Sequence, residues 1–171
     1  SQAEPGRSAR CTRVSAGLPR AQTVGILAVG DELLAGAHPD LNSPYLARRL
    51  REWGREVLEV RAVGDVEADI ASAAAELLKC YGLVLVTGGL GPTEDDVTRH
   101  GVARALDLPL LESSEAWGQV LAWYARAGRI PPESNRRQAL IPEGAAVVAN
   151  PAGTAPGFRA ESSGSTILVL P

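Results

Sequence analysis

Between Val86 and His100 the chain reads VTGGLGPTEDDVTRH. Gly88, Gly89 and Gly91, with Pro92, separate a β-branched run from three successive carboxylates, Glu94, Asp95 and Asp96. A glycine-rich loop that opens into a helix commonly receives phosphate groups, because its N–H groups and the positive end of the helix both favour an anion. Carboxylates oppose that. A helix N-terminus contributes only about 0.3–1 kcal/mol toward an anion. A carboxylate ~4 Å from a phosphate opposes binding by about 4 kcal/mol at an effective dielectric near 20. The acids win unless a divalent cation lies between them and the phosphate, and carboxylates plus substrate phosphates are the usual surroundings of magnesium. The stretch therefore points to a phosphate ester held through a metal, or to a polar ligand held without one.

A plainer reading stands beside it. Thr93 is a good N-cap, and Asp96 three residues later completes a capping box. Glu94 and Asp95 then sit favourably on the positive end of the helix. Capping needs one acid rather than three, however, and it does not need three glycines, which at a strand end let a ligand approach the backbone closely. The loop is not a Walker A loop, since it has no Gly-Lys-Ser/Thr, and its glycine spacing differs from the dinucleotide fingerprint.

Further acids stand at two other strand ends. VGDELLAGAHPDLN (29–42) carries Asp31 and Glu32, with Asp40 or Asn42 placed to cap the following helix. Asp65 follows the second strand in the same way and has its own capping role available. The tetrapeptide AVGD occurs at 28–31 and again at 62–65, too short a recurrence to count as a repeat. NPAGTAPGF (150–158) reads either as a plain turn or as a backbone-lined wall of a ligand crevice, with Asn150, Gly153, Thr154 and Gly157 facing the ligand. Asn135, Arg136, Arg137 and Gln138 are either polar contacts or solvated surface. His38 and His100 have no metal-ligand spacing between them, so a zinc site is not expected.

The elements that must carry these residues follow from periodicity. VGILAV (24–29) is a short apolar run, as a buried parallel strand would be. Residues 41–54 place Leu41, Tyr45, Leu46, Leu50 and Trp53 on one helical face, stopped by Gly54. Residues 56–63 alternate as a strand, 67–80 form a helix with Ile70, Ala73, Ala74, Leu77 and Leu78 as its stripe, and 82–87 form a third strand. Two helices follow at 94–107 and 113–127, then strands at 145–149 and 166–171. Strands alternating with helices predict an α/β fold with a mostly parallel sheet. In such sheets ligands bind at the carboxyl edge of the strands, where the three acidic loops lie.

Composition narrows the classes. A net charge of −3 without a basic stripe argues against direct nucleic-acid contact. No apolar run approaches the ~20 residues of a membrane span, so a membrane is not an expected partner. Cys11 and Cys80 are too few for a disulfide framework or a metal knuckle, and both read as free thiols in a reducing, cytoplasmic setting. Residues 1–22, with Arg7, Arg10, Arg13 and Arg20, read as a disordered leader ahead of one domain spanning 23–171, with a transit peptide as the alternative.

Taken in order, GDELLAG, DLN, TGGLGPTEDDVT, NRRQA, NPAGTAPGF and the closing LVLP resemble the N-terminal domain of CinA, the competence/damage-inducible protein family. The resemblance covers Val24 to Pro171. It implies a molybdopterin-binding fold of MoaB/MogA type, a three-layer α/β/α sandwich. By position, Gly88, Gly89, Gly91, Asp96 and Thr98 match that group's pterin or nucleotide phosphate loop, and Asp65 matches a second acid associated with activity in the molybdopterin enzymes. The family implies a metal-dependent pyrophosphatase acting on ADP-ribose or a related nucleotide. Asp96, with Asp95 or Asp31, would then hold magnesium, manganese or cobalt. Rival implications are a molybdopterin-binding protein and a non-catalytic module of competence or DNA damage. Oligomers of identical subunits are expected in this fold group. Measured against CinA proteins that carry a C-terminal nicotinamide-nucleotide amidohydrolase domain, this chain has no residues for one, and that activity is not assigned to it.

Overall fold

The computed structural model describes residues 17–171. In chain order it comprises β1 (Thr23–Val29), a one-turn helix α1 (Asp31–Leu34), α2 (Asn42–Glu52), β2 (Glu56–Val63), α3 (Glu67–Cys80) and β3 (Leu83–Thr87). There follow α4 (Thr98–Leu106), β4 (Leu110–Glu112), α5 (Ser114–Arg126), β5 (Leu140–Pro142), β6 (Ala146–Val148), β7 (Gly157–Ser162) and β8 (Ser165–Leu170). The main sheet has the order β2-β1-β3-β8-β7-β6. Its first four strands run parallel, and β7 and β6 close it as antiparallel strands. β4 and β5 pair separately.

β1 is buried along its whole length, which is why it reads as an unbroken apolar run. On one face of the sheet, Ile70, Ala73, Ala74 and Leu77 of α3 join Leu27, Val84, Val86, Phe158 and Ile167, with Val102 of α4 and Ala116 of α5 in the same core. On the other face Leu50 of α2 covers Val24, Ile26 and Leu85. Helices on both faces of a mostly parallel sheet make the expected three-layer sandwich.

The stripe read on residues 41–54 is only partly buried. Leu46 and Leu50 pack inward, while Leu41, Tyr45 and Trp53 are 75%, 54% and 68% exposed. α2 packs over β2 and β1, and a groove of about 390 Å³ between it and β8 is lined by Tyr45, Trp53, Leu83, Leu168 and Leu170. β7 was not expected. It pairs with β8 as a hairpin whose turn residues, Ser163 and Gly164, both have positive φ, as a two-residue turn between twisted strands requires.

The last part of the stretch read as a leader enters the fold: Arg20–Gln22 form a 3-10 turn, and Arg20 Nη2 donates to Leu78 O and Ser165 Oγ, both at 2.8 Å. This segment therefore crosses the C-terminal end of α3, beside Cys80. Cys80 is disulfide-bonded, which corrects the expectation of a free thiol there, because spacing along the chain does not show what crosses the helix end. The expectation for Cys11, like the rest of the leader, lies outside the described residues. No helix among the described residues is long and apolar enough to cross a membrane.

The two faces of the sheet predict opposite mutational costs. Phe158→Ala, at a fully buried position, should cost about 3–5 kcal/mol in urea unfolding. Trp53→Ala should stay within roughly 0.5 kcal/mol of wild type, as exposed positions do. A large loss for Trp53→Ala would mean that α2 is packed on its outer side as well.

Candidate functional site

Parallel pairing sets Ala28 beside Ala62 and Val29 beside Val63. Gly30 N donates to Val63 O at 3.0 Å, so β1 and β2 end level with each other. The two AVGD stretches are thus neighbours in space. Asp31 N donates to Asp65 Oδ2 at 2.9 Å, and Asp65 N donates to Asp31 Oδ1 at 3.0 Å. This reciprocal pair fixes both carboxylates while leaving Asp31 Oδ2 and Asp65 Oδ1 without a hydrogen-bond partner among the described residues. A side chain at Gly64 would not fit, since its Cβ would stand 2.3 Å from Asp31 Oδ1.

The glycine loop leaves β3 alongside this pair. Gly88 has φ +94°, and a Cβ there would lie 2.2 Å from Val29 O. A Cβ on Gly89 would lie 2.2 Å from Thr98 Oγ1, and one on Gly91 2.5 Å from Asp96 Oδ2. The space left by the missing side chains is therefore filled by the protein's own polar groups. Asp96 accepts from Gly91 N at 2.8 Å, from Thr93 N at 2.9 Å and from the Thr93 hydroxyl. That is the inward half of the expected capping box, formed in a turn ahead of the helix. Because these residues close the turn, α4 begins at Thr98 rather than at Glu94. Thr98 joins loop to helix, its hydroxyl donating to Gly88 O at 2.8 Å and its N–H to Gly89 O at 3.3 Å. The N–H groups of Gly89 and Leu90 have no acceptor among the described residues.

The acids share one electrostatic neighbourhood. Burial raises the Asp65 carboxyl above its ordinary 3.8, the Asp31 N–H bond pulls it back, and repulsion from Asp31, Glu32 and Asp96 raises it further. Glu94 and Asp95 are exposed. Among the described residues no group of three or more His, Cys, Asp or Glu forms a ready metal cage. The open oxygens of Asp31 and Asp65 still suit a magnesium-like ion, which keeps several waters and takes one or two carboxylates plus substrate phosphate. Asp96, with both oxygens engaged in the loop, and Asp95, turned outward, are less suited to that role.

Residues 150–157, expected as a wall of the crevice, pack against the glycine loop, with Leu90 and Ala155 in one core cluster. Asn135 and Gln138, both buried, form a relay: Tyr124 OH donates to Asn135 Oδ1, Asn135 Nδ2 to Gln138 Oε1 at 2.9 Å, and Gln138 Nε2 to Thr154 Oγ1 at 3.1 Å. Asn150 shapes the same turn, its side chain donating to Ala155 O and accepting from Ala152 N. Gly157 packs on Val169 O, and Gly153 lies against Asn150. These expected ligand residues therefore bond to one another and to the 150–157 turn, and none of them lines the crevice below Gly88. Pro92 lies partly buried within the glycine loop.

Beneath Gly88 a crevice of about 320 Å³ is lined by Glu32, His38, Asp40, Asn42 and Thr87. Asp40, rather than Asn42, caps α2, with its Oδ1 accepting from Asn42 N and Ser43 N at 3.0 Å each. Asn42 is left free to line the crevice. One residue that sequence reasoning passed over is Arg99, buried between the glycine loop and the 150–157 turn, where burial lowers its pKa to about 10 against the opposing effect of Asp96. Nothing in its immediate sequence marks it. The AVGD recurrence was the available signal for the Asp31–Asp65 pair.

Residues 25–171 match the family model described as "Probable molybdopterin binding domain". A "Putative competence-damage inducible protein" of Caldanaerobacter subterraneus subsp. tengcongensis is 40% identical over 146 residues, covering 85% of this chain and 35% of the relative. A "CinA-like protein" of Geobacter metallireducens is 41% identical with the same two shares. The chain thus spans about a third of the length of these curated relatives. Among solved structures, the protein CinA from Thermoplasma acidophilum, described as of unknown function, superposes with TM-score 0.82 at 28% identity over 90% of this chain and 89% of that one. A molybdopterin biosynthesis protein from Mycobacterium abscessus shares the fold, with TM-score 0.57 at 20% identity over 87% of this chain and 80% of that one.

The crowding of acids has a measurable cost. A carboxyl whose folded pKa is raised binds its proton more tightly in the folded chain. It therefore subtracts stability above both pKa values, and the loss disappears as pH falls through the folded value. In EDTA at pH 7–8, Asp65→Asn should raise Tm by on the order of 1–3 °C for a domain of this size. The gap should close as the pH is lowered toward 4. A lower Tm for Asp65→Asn at neutral pH would show that the Asp31 N–H bond outweighs the repulsion.

Proposed function

The chain belongs to the family of probable molybdopterin-binding domains, with CinA-like proteins among its relatives, and from that premise we propose that it is a metal-dependent pyrophosphatase acting on ADP-ribose or a related nucleotide. The observation that carries this reading is the Asp31–Asp65 pair, locked by reciprocal backbone bonds with one open oxygen on each carboxylate. Two carboxylates held together beside the glycine loop repel a phosphate unless a cation is shared between them.

In this reading Asp31 and Asp65 would hold a divalent ion, which when bound would supply neutralising charge for the pyrophosphate and a water of lowered pKa. The N–H groups of Gly89 and Leu90 donate to phosphate oxygens, where fixed donors favour the charge that develops during transfer. Asp96 does not touch the substrate but keeps the loop closed through Gly91 and Thr93. Asn42 and Thr87 contact the remainder of the nucleotide in the crevice below Gly88. The family match by itself favours a second reading, binding of molybdopterin without turnover.

The test is hydrolysis of ADP-ribose to AMP and ribose 5-phosphate with magnesium, manganese or cobalt and in EDTA. AMP release should require the metal and fall at least about 100-fold in Asp31→Asn and in Asp65→Asn, the size of loss that follows removal of a charge-stabilising group. Asp96→Asn should retain more activity than either, because its role is one step removed. A folded wild type that releases no AMP with any of the three metals would sink the reading, and saturable pterin binding by that same protein would select the second one.

A further inference from the structure

Arg99 is 1% exposed and is the one charged side chain among the described residues that is fully buried. It does not reach the crevice, so it is no ligand contact. Its Nη1 donates to Leu90 O at 2.8 Å, within the glycine loop, and its Nη2 donates to Pro156 O at 3.3 Å, within the 150–157 turn. Nε has no partner. The residue before it, Thr98, already ties the start of α4 to Gly88 and Gly89. Two consecutive residues of one helix thus hold three consecutive residues of the glycine loop, and the second of them reaches the 150–157 turn as well.

Stability alone does not explain this choice. A buried guanidinium bonded to two carbonyls, with no carboxylate bonded to it, carries a desolvation cost that an apolar side chain of similar volume would avoid. What arginine adds is a planar fork whose donors meet two acceptors at a fixed separation. We propose that Arg99 is a positioning residue that locks the glycine loop to the 150–157 turn, so that a single guanidinium fixes the loop that presents the free N–H groups of Gly89 and Leu90. The proposal rests on the reading that the glycine loop binds the ligand.

The experiment compares wild type, Arg99→Met and Arg99→Lys by hydrogen exchange of the backbone amides, with ADP-ribose turnover measured alongside. In Arg99→Met, residues 88–97 and 150–157 should lose protection together, by about tenfold or more, while β1, β3 and α3 keep theirs. In Arg99→Lys the loss should be intermediate, since an ammonium lacks the two-pronged geometry. Where turnover is present, kcat should fall by roughly ten- to a hundredfold in Arg99→Met, with a smaller change in KM, because a misplaced loop costs orientation. Unchanged exchange at both segments, or loss at only one, overturns the proposal. So does loss of protection throughout the domain in both variants, which would mark an ordinary core role. If Arg99→Met does not fold, Arg99→Lys decides: joint local loss supports the lock, and wild-type exchange overturns it. The exchange readout needs no turnover, so an inactive wild type would end the hydrolase reading without deciding this one.

Discussion

The arrangement depends on the register of β1 between its two parallel neighbours. Val29 stands beside Val63 on one side, and Ala28 beside Thr87 on the other. Parallel strands need crossover connections, so every strand in this part of the sheet ends at the same edge. That geometry delivers three loops to one place. It sets Asp31 against Asp65, and it brings Val29 O so close to Gly88 that no side chain fits between them. A slip of one residue between β1 and β2 would turn one AVGD stretch over relative to the other and abolish the reciprocal bonds.

The site built on this register carries a strain of charge that the rest of the structure contains. Asp65 is partly desolvated and repelled by Asp31, Glu32 and Asp96. Backbone N–H groups compensate: each member of the Asp31–Asp65 pair accepts one, and Asp96 accepts two from its own loop. Behind the loops, the Asn135–Gln138–Thr154 relay and the Arg99 fork use buried polar groups that are expensive unless satisfied. Thr87, Thr98, Arg99, Asn135 and Gln138 are buried near these loops, while Thr23 and Ser165 form a second buried polar group at the other end of the sheet.

Legibility in the sequence followed burial. Strands 24–29 and 56–63 and the helix at 67–80 were readable to within a residue, because buried β1 is a continuous apolar run, half-exposed β2 alternates and α3 shows a full apolar stripe. β7 was missed because Arg159 and Glu161 interrupt its apolar pattern on the outward face, although the Ser163–Gly164 turn was there to find. β4 and β5 are only three residues each, too short for any period to show. The helix expected from residue 94 starts four residues later, because its apparent capping residues are spent on closing the glycine loop.

By itself the sequence determined the order of the elements from β1 to β3, the presence of acids at three strand ends, and the family, since each is a property of consecutive residues. The tertiary structure alone decided which acids lie together. Reading along the chain grouped Asp96 with Asp95 and Asp31. Folding paired Asp31 with Asp65, which lies 34 positions away, and turned Asp96 inward onto its own loop. The same holds for the glycines, whose open faces receive the protein's own carbonyl, hydroxyl and carboxylate, and for Arg99, whose two acceptors come from different loops. The physical reason is that a polar group is satisfied by whatever the packed chain brings within about 3 Å, and strand register, rather than distance along the sequence, sets what that is.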